Sequence, residues 1–330
     1  MKTLKLLAIT AAALLSFGCA KKSDSKSIAV FVPGICDDSP TYALLVKGVT
    51  KAVDDYNTKS ADKVELFVME AGTNQAEWSS KLTALTAEQK YDVIISSNPS
   101  LPDLAEPILT QFTNQKYIFM DATKAGNENM YTVSYNQKEA SWLSGYIGGL
   151  MSKSHKLGLV AAQEYPVMNN IIYPYYEKGA KYAVSGSSVD FRIVGNWYDA
   201  TKGAEITDAL ISKGVDVILP ICGGASQGVI NSAVNGGIYI TWFDSDNFAT
   251  APGTIISCSI ADQEKMSEKV TAEYLAGSTK WGQADQVGLK EGFVRFIEDN
   301  PNYIKSVPEE IRSKLSKAIE DIKSGALNLN

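Results

Sequence analysis

Short apolar runs alternate with amphipathic stretches along most of the chain. Residues 28–32 form a continuous apolar run closed by Pro33-Gly34, and Ser39 can cap the amphipathic helix that follows. Similar runs predict strands at 64–69, 91–96, 117–120, 156–161, 189–194, 215–221, 238–242 and 254–259. The stretches between them predict helices at 75–85, 138–151, 169–183, 202–212, 227–234, 262–275 and 309–323, with another ending at 112. Near-continuous apolar strands alternating with helices are typical of parallel sheets buried on both faces.

The predicted elements fall into two Rossmann-like halves. We therefore expect an α/β protein with two lobes joined by a hinge and a ligand cleft between them. Lobe one is expected to comprise residues 28–135 and about 247–285, because strand 254–259 and the helix after it are expected to return to this lobe. Lobe two is expected to comprise residues 136–246 and about 286–330.

Polar, aromatic and glycine residues gather where the predicted strands end. Doubly wound lobes bind their ligands at the carboxyl ends of the strands, so these residues predict the lining of the cleft. They are Asp37, Asp38, Ser97, Asn98, Asp121, Trp197, Tyr198, Asp199, Gly223, Gly224, Trp242, Asp244 and Asp246.

The first residues of the chain have the pattern of an export signal. Lys2 and Lys5 supply a positive start, and residues 6–17 form an apolar core. That core is shorter than the ~20 apolar residues that a membrane-spanning helix needs. We therefore interpret residues 1–18 as a signal peptide.

A cysteine directly follows this leader, in Leu15-Ser16-Phe17-Gly18-Cys19. A small residue before a cysteine is typical of the cleavage site of bacterial lipoproteins, although the leucine here lies four residues before the cysteine instead of the usual three. We expect Cys19 to carry acyl chains such as palmitate, and residues 19–27 to form a polar, flexible tether to a membrane. The alternative is an ordinary secretory signal with an incidental cysteine.

The net charge of the chain limits the kinds of partner that it can bind. The formal net charge is −6, and it becomes −8 when the leader with Lys2 and Lys5 is removed. No basic stripe interrupts this acidity, so we expect no nucleic-acid partner.

Cysteine and histidine usage argues against a metal site. Cys36, Cys222 and Cys258 each lie at the apolar end of a predicted strand and form no CxxC pair, so we interpret them as small buried residues. The sole histidine, His155, lies in a polar turn. One histidine and scattered cysteines exclude the usual zinc-ligand patterns.

One motif favours an enzyme. Gly224-Ala225-Ser226-Gln227-Gly228 fits the G-x-S-x-G pattern of hydrolases and lies between a predicted strand and helix. The catalytic histidine of that fold follows the serine along the chain, whereas His155 precedes Ser226. Without a base Ser226 is not activated, so we expect a binding protein and retain a secreted hydrolase only as an alternative.

Several motifs together resemble one family, the basic membrane protein family of lipoproteins, which is similar to the purine nucleoside receptor of bacterial ABC importers. The resemblance covers essentially the whole chain after the leader. The motifs that carry it are Gly34-Ile35-Cys36-Asp37-Asp38-Ser39, Phe119-Met120-Asp121-Ala122, Glu139-Ala140-Ser141-Trp142, Gly195-Asn196-Trp197-Tyr198-Asp199 and Phe243-Asp244-Ser245-Asp246.

This resemblance implies a type I periplasmic-binding-protein fold and the role of substrate-binding lipoprotein for an ABC importer. The implied partners are a small-molecule ligand, a membrane permease and, through Cys19, a lipid bilayer; no cofactor is implied. Fold alone does not fix function, so a surface adhesin remains the alternative of another class.

The resemblance also implies which residues line the cleft. Those taken from the family pattern or from strand ends are Asp38, Asn98, Asp121, Met168, Gly223, Gly224, Trp242, Asp244 and Asp246. Three positions depart from the nucleoside-binding members: Trp197 replaces one stacking phenylalanine, Thr41-Tyr42 stands where the other is expected, and Asp262 replaces a sugar-binding lysine.

These departures favour a wider ring and more hydroxyl donors than a purine nucleoside offers. The opening Val30-Phe31-Val32-Pro33-Gly34 with Ser39-Pro40 also resembles the riboflavin-binding branch of the superfamily. We therefore expect riboflavin as the ligand, with a purine nucleoside as the alternative.

Overall fold

The computed structural model describes residues 26–329, which form two α/β lobes. Lobe one and lobe two are each built on one six-stranded sheet. The strands are β1 (Ser27–Val32), β2 (Glu65–Glu70), β3 (Val93–Ser97), β4 (Lys116–Met120), β5 (Met130–Tyr135), β6 (Lys156–Ala161), β7 (Ser188–Ile193), β8 (Val217–Ile221), β9 (Tyr239–Trp242), β10 (Ile255–Ala261), β11 (Ala284–Val287) and β12 (Val294–Phe296).

The sheet of lobe one has the strand order β11-β5-β4-β3-β1-β2, and that of lobe two has the order β12-β10-β9-β8-β6-β7. Every paired strand is parallel to its neighbour except β12, which runs antiparallel to β10. Val30 of β1 lies in register with Val68 on one side and Ile95 on the other. The two lobes thus have the doubly wound architecture that the alternating pattern predicted.

Helices cover both faces of each sheet. They are α1 (Pro40–Lys59), α2 (Trp78–Ala87), α3 (Leu101–Leu109), α4 (Gln137–Met151), α5 (Tyr173–Ala183), α6 (Ala200–Ser212), α7 (Ser226–Gly236), α8 (Gln263–Leu275), α9 (Pro301–Ser306) and α10 (Glu309–Ser324). None of the helices within residues 26–329 is long and apolar enough to cross a bilayer.

The first strand shows why the apolar runs are continuous. Ile28, Val30 and Val32 belong to one hydrophobic cluster, whereas Ala29 and Phe31 belong to another, and all five are fully buried. Alternate residues of a strand point to opposite faces. A strand covered by helices on both sides therefore needs an apolar residue at every position.

The chain passes between the lobes three times, after β5, after β10 and after β11. The backbone N–H of Asn136 donates to the carbonyl of Val287 at 2.7 Å, and that of Asp262 donates to the carbonyl of Phe293 at 2.9 Å. The three crossing segments are thereby bonded to one another and form the hinge.

The assignment of strand 254–259 to lobe one was wrong. Ile255 of β10 pairs with Ile240 of β9, so this strand extends the sheet of lobe two, and the chain returns to lobe one only at Asp262. The helix after it, α8, packs against α1 in lobe one. An apolar run predicts a buried strand but does not encode which of two similar sheets accepts it.

The predicted helix at 169–183 contains a wide turn in its first part. Met168–Ile172 forms a wide π-type turn, and the regular helix α5 starts at Tyr173. Pro174 lies in the first turn of α5 and has no N–H to donate back to the preceding turn. The interruption is therefore local to the proline.

Two glycines allow α4 and α5 to cross closely in lobe two. A methyl group at Gly145 would overlap the backbone carbonyl of Tyr176, and one at Gly179 would overlap that of Trp142. The two helices thus approach each other backbone to backbone. A side chain at either glycine requires the helices to separate.

We therefore expect Gly145→Ala to lower the free energy of unfolding by about 1–3 kcal/mol, because the added methyl group overpacks this crossing. Denaturant unfolding of the full chain measures the effect. Gly186→Ala is the matched control, since a methyl group there meets no atom within 4 Å. Equal stability of the two variants would contradict the close-crossing account.

Candidate functional site

Two aspartates follow equivalent strands of the two lobes. Asp121 comes directly after β4, and Asp244 comes two residues after β9; each of these strands is the fourth of its lobe in chain order. Both aspartates have left-handed backbone conformations, with φ of 53° and 73°. Aspartate tolerates this region better than most residues, yet such conformations persist only where the surroundings hold them. The repeated geometry indicates that the fold fixes both carboxylates in place.

The environment of these carboxylates favours their protonated forms. Burial, and then the nearby charge of Asp244, raise the pKa of Asp121 to about 7, while a hydrogen bond from Gln137 at 3.3 Å opposes the shift. Burial also raises the pKa of Asp244 to about 6. Both side chains nevertheless keep some solvent exposure, as expected for groups that line an internal cleft. The pair is suited to accept hydrogen bonds from a polar ligand.

Two aromatic rings of lobe two, those of Tyr165 and Trp197, lie near the aspartates. The ring centroids of Tyr165 and Trp197 are 6.4 Å apart, with planes inclined by 36°. The charges of Asp121 and Asp244 both contribute to raising the pKa of Tyr165 above its usual range, although burial contributes most. Tyr165 therefore lies near both Trp197 and the two carboxylates.

The glycine turn after β8 contacts Trp197. The backbone N–H of Ala225 donates to the carbonyl of Trp197 at 3.1 Å. A side chain on Gly223 would come within 3.0 Å of that carbonyl oxygen, and Gly223 has a left-handed φ of 57°. Only glycine meets both requirements without strain. Gly223 and Gly224 thus fix the position of the indole.

Lobe one contributes Tyr42 to the opposite side of the cleft. The side-chain amide of Asn98 donates to the hydroxyl of Tyr42 at 3.3 Å, and burial raises the pKa of Tyr42 above its usual range. The Asn98 carbonyl oxygen accepts from both the backbone and the hydroxyl of Ser100. The ring of Tyr42 lies so close to Gly34 that a methyl group there would be 2.7 Å from it. Tyr42 is thereby held in one orientation.

Comparison with known proteins identifies the family. A family model described as ABC transporter substrate-binding protein PnrA-like matches residues 25–328. The chain belongs to this basic membrane protein family. Among its relatives, Basic membrane protein A of Borreliella afzelii is 28% identical over 91% of this chain and 93% of its own length. The CD4+ T-cell-stimulating antigen of Listeria monocytogenes is 24% identical over 97% of each chain.

Solved structures confirm the expected type I periplasmic-binding-protein fold. An ABC transporter solute-binding protein from Aeropyrum pernix superposes with a TM-score of 0.74 at 19% identity, covering 92% of each chain. The periplasmic component of a sugar transport system from Hahella chejuensis has a TM-score of 0.62 at 14% identity, covering 82% of this chain and 99% of its own.

Family membership confirms the predicted class of function. The chain is an extracytoplasmic substrate-binding protein of an ABC transporter, and it works with a small-molecule ligand and a permease. The family and these structural neighbours bind solutes rather than transform them.

The G-x-S-x-G motif has a structural role in this fold. Ser226 is buried at the start of α7, and its hydroxyl lies 3.2 Å from the thiol of Cys222. His155 lies in the turn that precedes β6, at the amino end of that strand, whereas the glycine turn follows the carboxyl end of β8. The serine and the only histidine of the chain are therefore at opposite edges of one sheet.

Two residues expected in the cleft of the basic membrane protein make contacts within lobe two. Met168 is fully buried in the hydrophobic core of lobe two, because it begins the wide turn that packs beneath α5. Asp246 is exposed and accepts hydrogen bonds from the backbone of Phe248 and the side chain of Asn300, each at 3.2 Å. Contact of either side chain with a ligand stays a prediction.

For the remaining predicted residues, contact with a ligand stays a prediction. Asp262 caps α8 by accepting from the backbone of Lys265, and its other oxygen is 3.9 Å from Arg295. Trp242 donates to the hydroxyl of Ser245 at 3.1 Å. Thr41, in the first turn of α1, is partly buried, and Asp38 is exposed in the preceding turn.

Sequence reasoning missed three residues of this site. Tyr165 follows the end of β6 by four residues, so the rule that found the other strand-end residues would also have found it. Gln137 begins α4 and reads as an ordinary polar helix residue. Tyr135 ends an apolar strand, and its hydroxyl donates to the buried Gln263 at 2.9 Å. No local pattern separates Tyr135 from a core tyrosine.

The lobes also contact each other directly. The side-chain amide N–H of Gln163 in lobe two donates to the side-chain oxygen Oε1 of Gln75 in lobe one at 2.8 Å. The hydroxyl of Tyr198 lies 3.4 Å from where a side chain on Gly34 would begin. The structure is therefore a closed form, with these contacts between the lobes.

We expect Gln163→Ala to shift the ligand-free protein toward open forms. Loss of one hydrogen bond worth about 1 kcal/mol should reduce the closed-to-open ratio several-fold. Small-angle X-ray scattering should show a larger radius of gyration for this variant. Gln227→Ala is the control, because the side chain of Gln227 bonds within α7, to Asn231. Superimposable profiles of all three proteins would contradict this role for Gln163.

Proposed function

We propose that this basic membrane protein is a lipid-anchored receptor that binds riboflavin between its lobes and delivers it to an ABC permease. The proposal rests on one arrangement, the aromatic pair Trp197 and Tyr165 beside the carboxylates of Asp121 and Asp244. An aromatic face next to paired acceptors suits a planar ring that carries a chain of hydroxyl donors.

The aromatic side of the site favours a wide ring system. Stacking energy grows with the area of overlap, and the indole of Trp197 offers a larger face than phenylalanine. The glycine turn and the contact with Tyr165 hold this indole in place before a ligand arrives. A preorganised face loses little side-chain entropy on binding.

The polar side of the site favours a ligand rich in hydroxyl groups. Asp121 and Asp244 accept only one hydrogen bond between them from the described side chains, the one from Gln137. Most of their acceptor capacity is therefore available to a ligand. A ribityl chain offers more donors than a ribose ring. A ligand lacking one of these hydroxyls would leave a buried acceptor unpaired and bind more weakly.

A purine nucleoside is the second candidate. Two carboxylates match the adjacent hydroxyls of a ribose ring, and the family model itself is described as PnrA-like. The two ligands differ in ring width and in the number of hydroxyl groups. Titration calorimetry of the full chain with riboflavin, inosine and guanosine separates them, and a yellow protein with flavin absorbance as purified would support riboflavin.

We expect Trp197→Ala to weaken riboflavin binding at least about tenfold, because the largest stacking face is lost. Calorimetric titration gives the dissociation constants. Tyr182→Ala is the matched control, since Tyr182 is 62% exposed on the outer surface of lobe two. Riboflavin that fails to bind at micromolar concentration would overturn the assignment of the ligand. Unchanged affinity in Trp197→Ala would show that the ring of the ligand does not stack on Trp197.

Membrane attachment is the other part of the proposal. Cys19 lies outside the described residues, and the tether at 19–27 leads directly into β1, which begins at Ser27. Acyl chains on Cys19 would hold lobe one close to the bilayer, within the reach of this short tether.

We expect Cys19→Ala to move the protein from the membrane fraction to the soluble fraction, because the acylated side chain is removed. Fractionation with palmitate labelling checks this result. Cys36→Ala, a change at a partly exposed cysteine of lobe one, should leave the protein in the membrane fraction. A Cys19→Ala variant that stays membrane-bound and labelled would contradict the anchor.

A further inference from the structure

The face of lobe one at which the described chain begins carries two pairs of aromatic rings and two lysines. We call this face the base, and its residues are Lys26, Phe67, Tyr91, Lys116, Tyr274 and Trp281. We propose that the base is a membrane-docking surface, which packs on the lipid head groups of the bilayer that holds the anchor. This inference rests on the lipid anchor at Cys19 in the proposed function and is independent of the choice of ligand.

The topology of lobe one brings these residues to one edge of its sheet. All six strands of this sheet run in the same direction, so their amino ends lie together at the edge opposite the cleft. Lys116 begins β4, and Tyr91 precedes β3 by two residues. Tyr274 lies in the last turn of α8, and the ammonium of Lys26 bonds to the carbonyl of Leu275 at 2.8 Å. The end of α8 therefore also lies at the base.

The two aromatic pairs lie on opposite faces of the sheet. Phe67 and Tyr91 stack with their centroids 5.5 Å apart, and Phe67 is 42% exposed. Tyr274 and Trp281 meet edge to face at 6.4 Å, and both are partly exposed. Tyr91 packs against the hydrophobic cluster of one face of β1, whereas Tyr274 and Trp281 pack against the cluster of the other. Tryptophan and tyrosine are enriched where proteins meet lipid head groups, because these rings have an apolar body and a polar tip.

The two lysines of the base lie over aromatic rings. The ammonium of Lys26 is 5.4 Å from the centre of the Tyr274 ring, and that of Lys116 is 5.0 Å from the centre of the Trp281 ring. Both ammonium groups bond to uncharged oxygen atoms, and neither is in an ion pair within residues 26–329. Lysines that extend along apolar surfaces toward a membrane can bind lipid phosphates with their ammonium groups.

Acidic residues keep the net charge of this region low. Asp92 accepts from the backbone and the hydroxyl of Ser27, and Asp285 is paired with Lys280 at 2.6 Å. Glu65 and Glu128 are exposed near the starts of β2 and β5. Attraction between the base and anionic lipids is therefore weak, and the aromatic rings supply most of the docking energy.

The short connection to Cys19 limits how far the base can be from the bilayer. Six residues separate Cys19 from Lys26, so the two Cα atoms are at most about 25 Å apart. The carboxyl end of β1 lies a further strand length from the tether, about 20 Å for six residues. The base therefore reaches the head groups before the cleft does. So short a connection also gives the base a high local concentration at the lipid, which populates a contact too weak to hold an unanchored chain.

Docking by the base determines the direction of the cleft. The strand ends that line the cleft on lobe one lie at the opposite edge of the sheet from the base. With the base on the head groups, the cleft opens away from the bilayer. The docked receptor is therefore oriented to capture ligand from the surrounding solution.

Quenching of tryptophan fluorescence by brominated phosphatidylcholine tests the docking. The acylated full chain is reconstituted in phosphatidylcholine vesicles with and without the brominated lipid. We expect bromine to remove the emission of one tryptophan of the five, because Trp281 alone among them lies on the base. Trp281→Phe should abolish the quenching, whereas Trp197→Phe, a change in the cleft, should preserve it. Absence of quenching in the unaltered chain, or equal quenching in Trp281→Phe, would overturn the proposal.

A tryptophan placed at the other aromatic pair tests whether the whole base contacts lipid. In the Trp281→Phe variant, the further change Phe67→Trp should restore the quenching. Tyr182→Trp in the same variant is the matched control, since Tyr182 is exposed on lobe two and should meet no lipid. Quenching at residue 182 but not at residue 67 would place a different face on the bilayer and overturn the proposal.

The docking surface can fail separately from the natural anchor. If Cys19 is not acylated, coupling of its thiol to a maleimide lipid in the Cys36→Ala variant attaches the chain at the same point, because Cys222 and Cys258 are buried. Quenching of Trp281 in the coupled chain would support the docking surface even though the natural anchor is wrong. Unquenched Trp281, together with a dimer in size-exclusion chromatography that Trp281→Ala dissociates, would assign the base to a second copy of the chain and overturn the proposal.

Discussion

The rest of the molecule depends on the burial of both faces of each parallel sheet. Helices cover both sides of β1, so all five residues from Ile28 to Val32 are apolar and fully buried. Polar chemistry is then confined to the ends of the strands. Because parallel strands end at one edge, each sheet collects its polar residues there. Two sheets with those edges close to each other produce a single site from residues far apart in the sequence.

Closure of the lobes about the hinge determines how this shared site binds a ligand. Both carboxylates lie at strand ends of separate lobes, and ligand contacts to both lobes exist only when the lobes are closed. A ligand that binds the closed form better shifts the equilibrium toward it. The direct contact of Gln163 with Gln75 means that closure is favoured in part by the protein itself. The hydrogen bonds among the three crossing segments keep the hinge ordered, so the lobes move as units.

Much of the fold and of the candidate site was predictable because burial leaves a strong pattern of apolar residues in the sequence. The elements, the two-lobed fold and the strand-end aspartates follow from apolar runs and from where they stop. The sheet that accepts β10 was not predictable, since pairing of Ile255 with Ile240 is a long-range choice among similar edges. The burial of Met168 and the bond of Asp246 to Asn300 could not be predicted because side-chain contacts in irregular turns depend on neighbours far along the chain. Tyr135 was not predicted because a buried tyrosine at the end of a strand has the same local sequence pattern whether it belongs to a core or to a binding site.

The left-handed backbone at Asp121 and Asp244 has a consequence for how such a receptor evolves. Among residues with side chains, asparagine shares aspartate's tolerance of this conformation and its shape, whereas bulkier or branched residues are strained there. The codons of the two amino acids differ by one base. Lineages with this fold can therefore alter the charge of the cleft in single mutational steps at little cost to folding. Most other changes at the same positions are removed by selection for a stable chain.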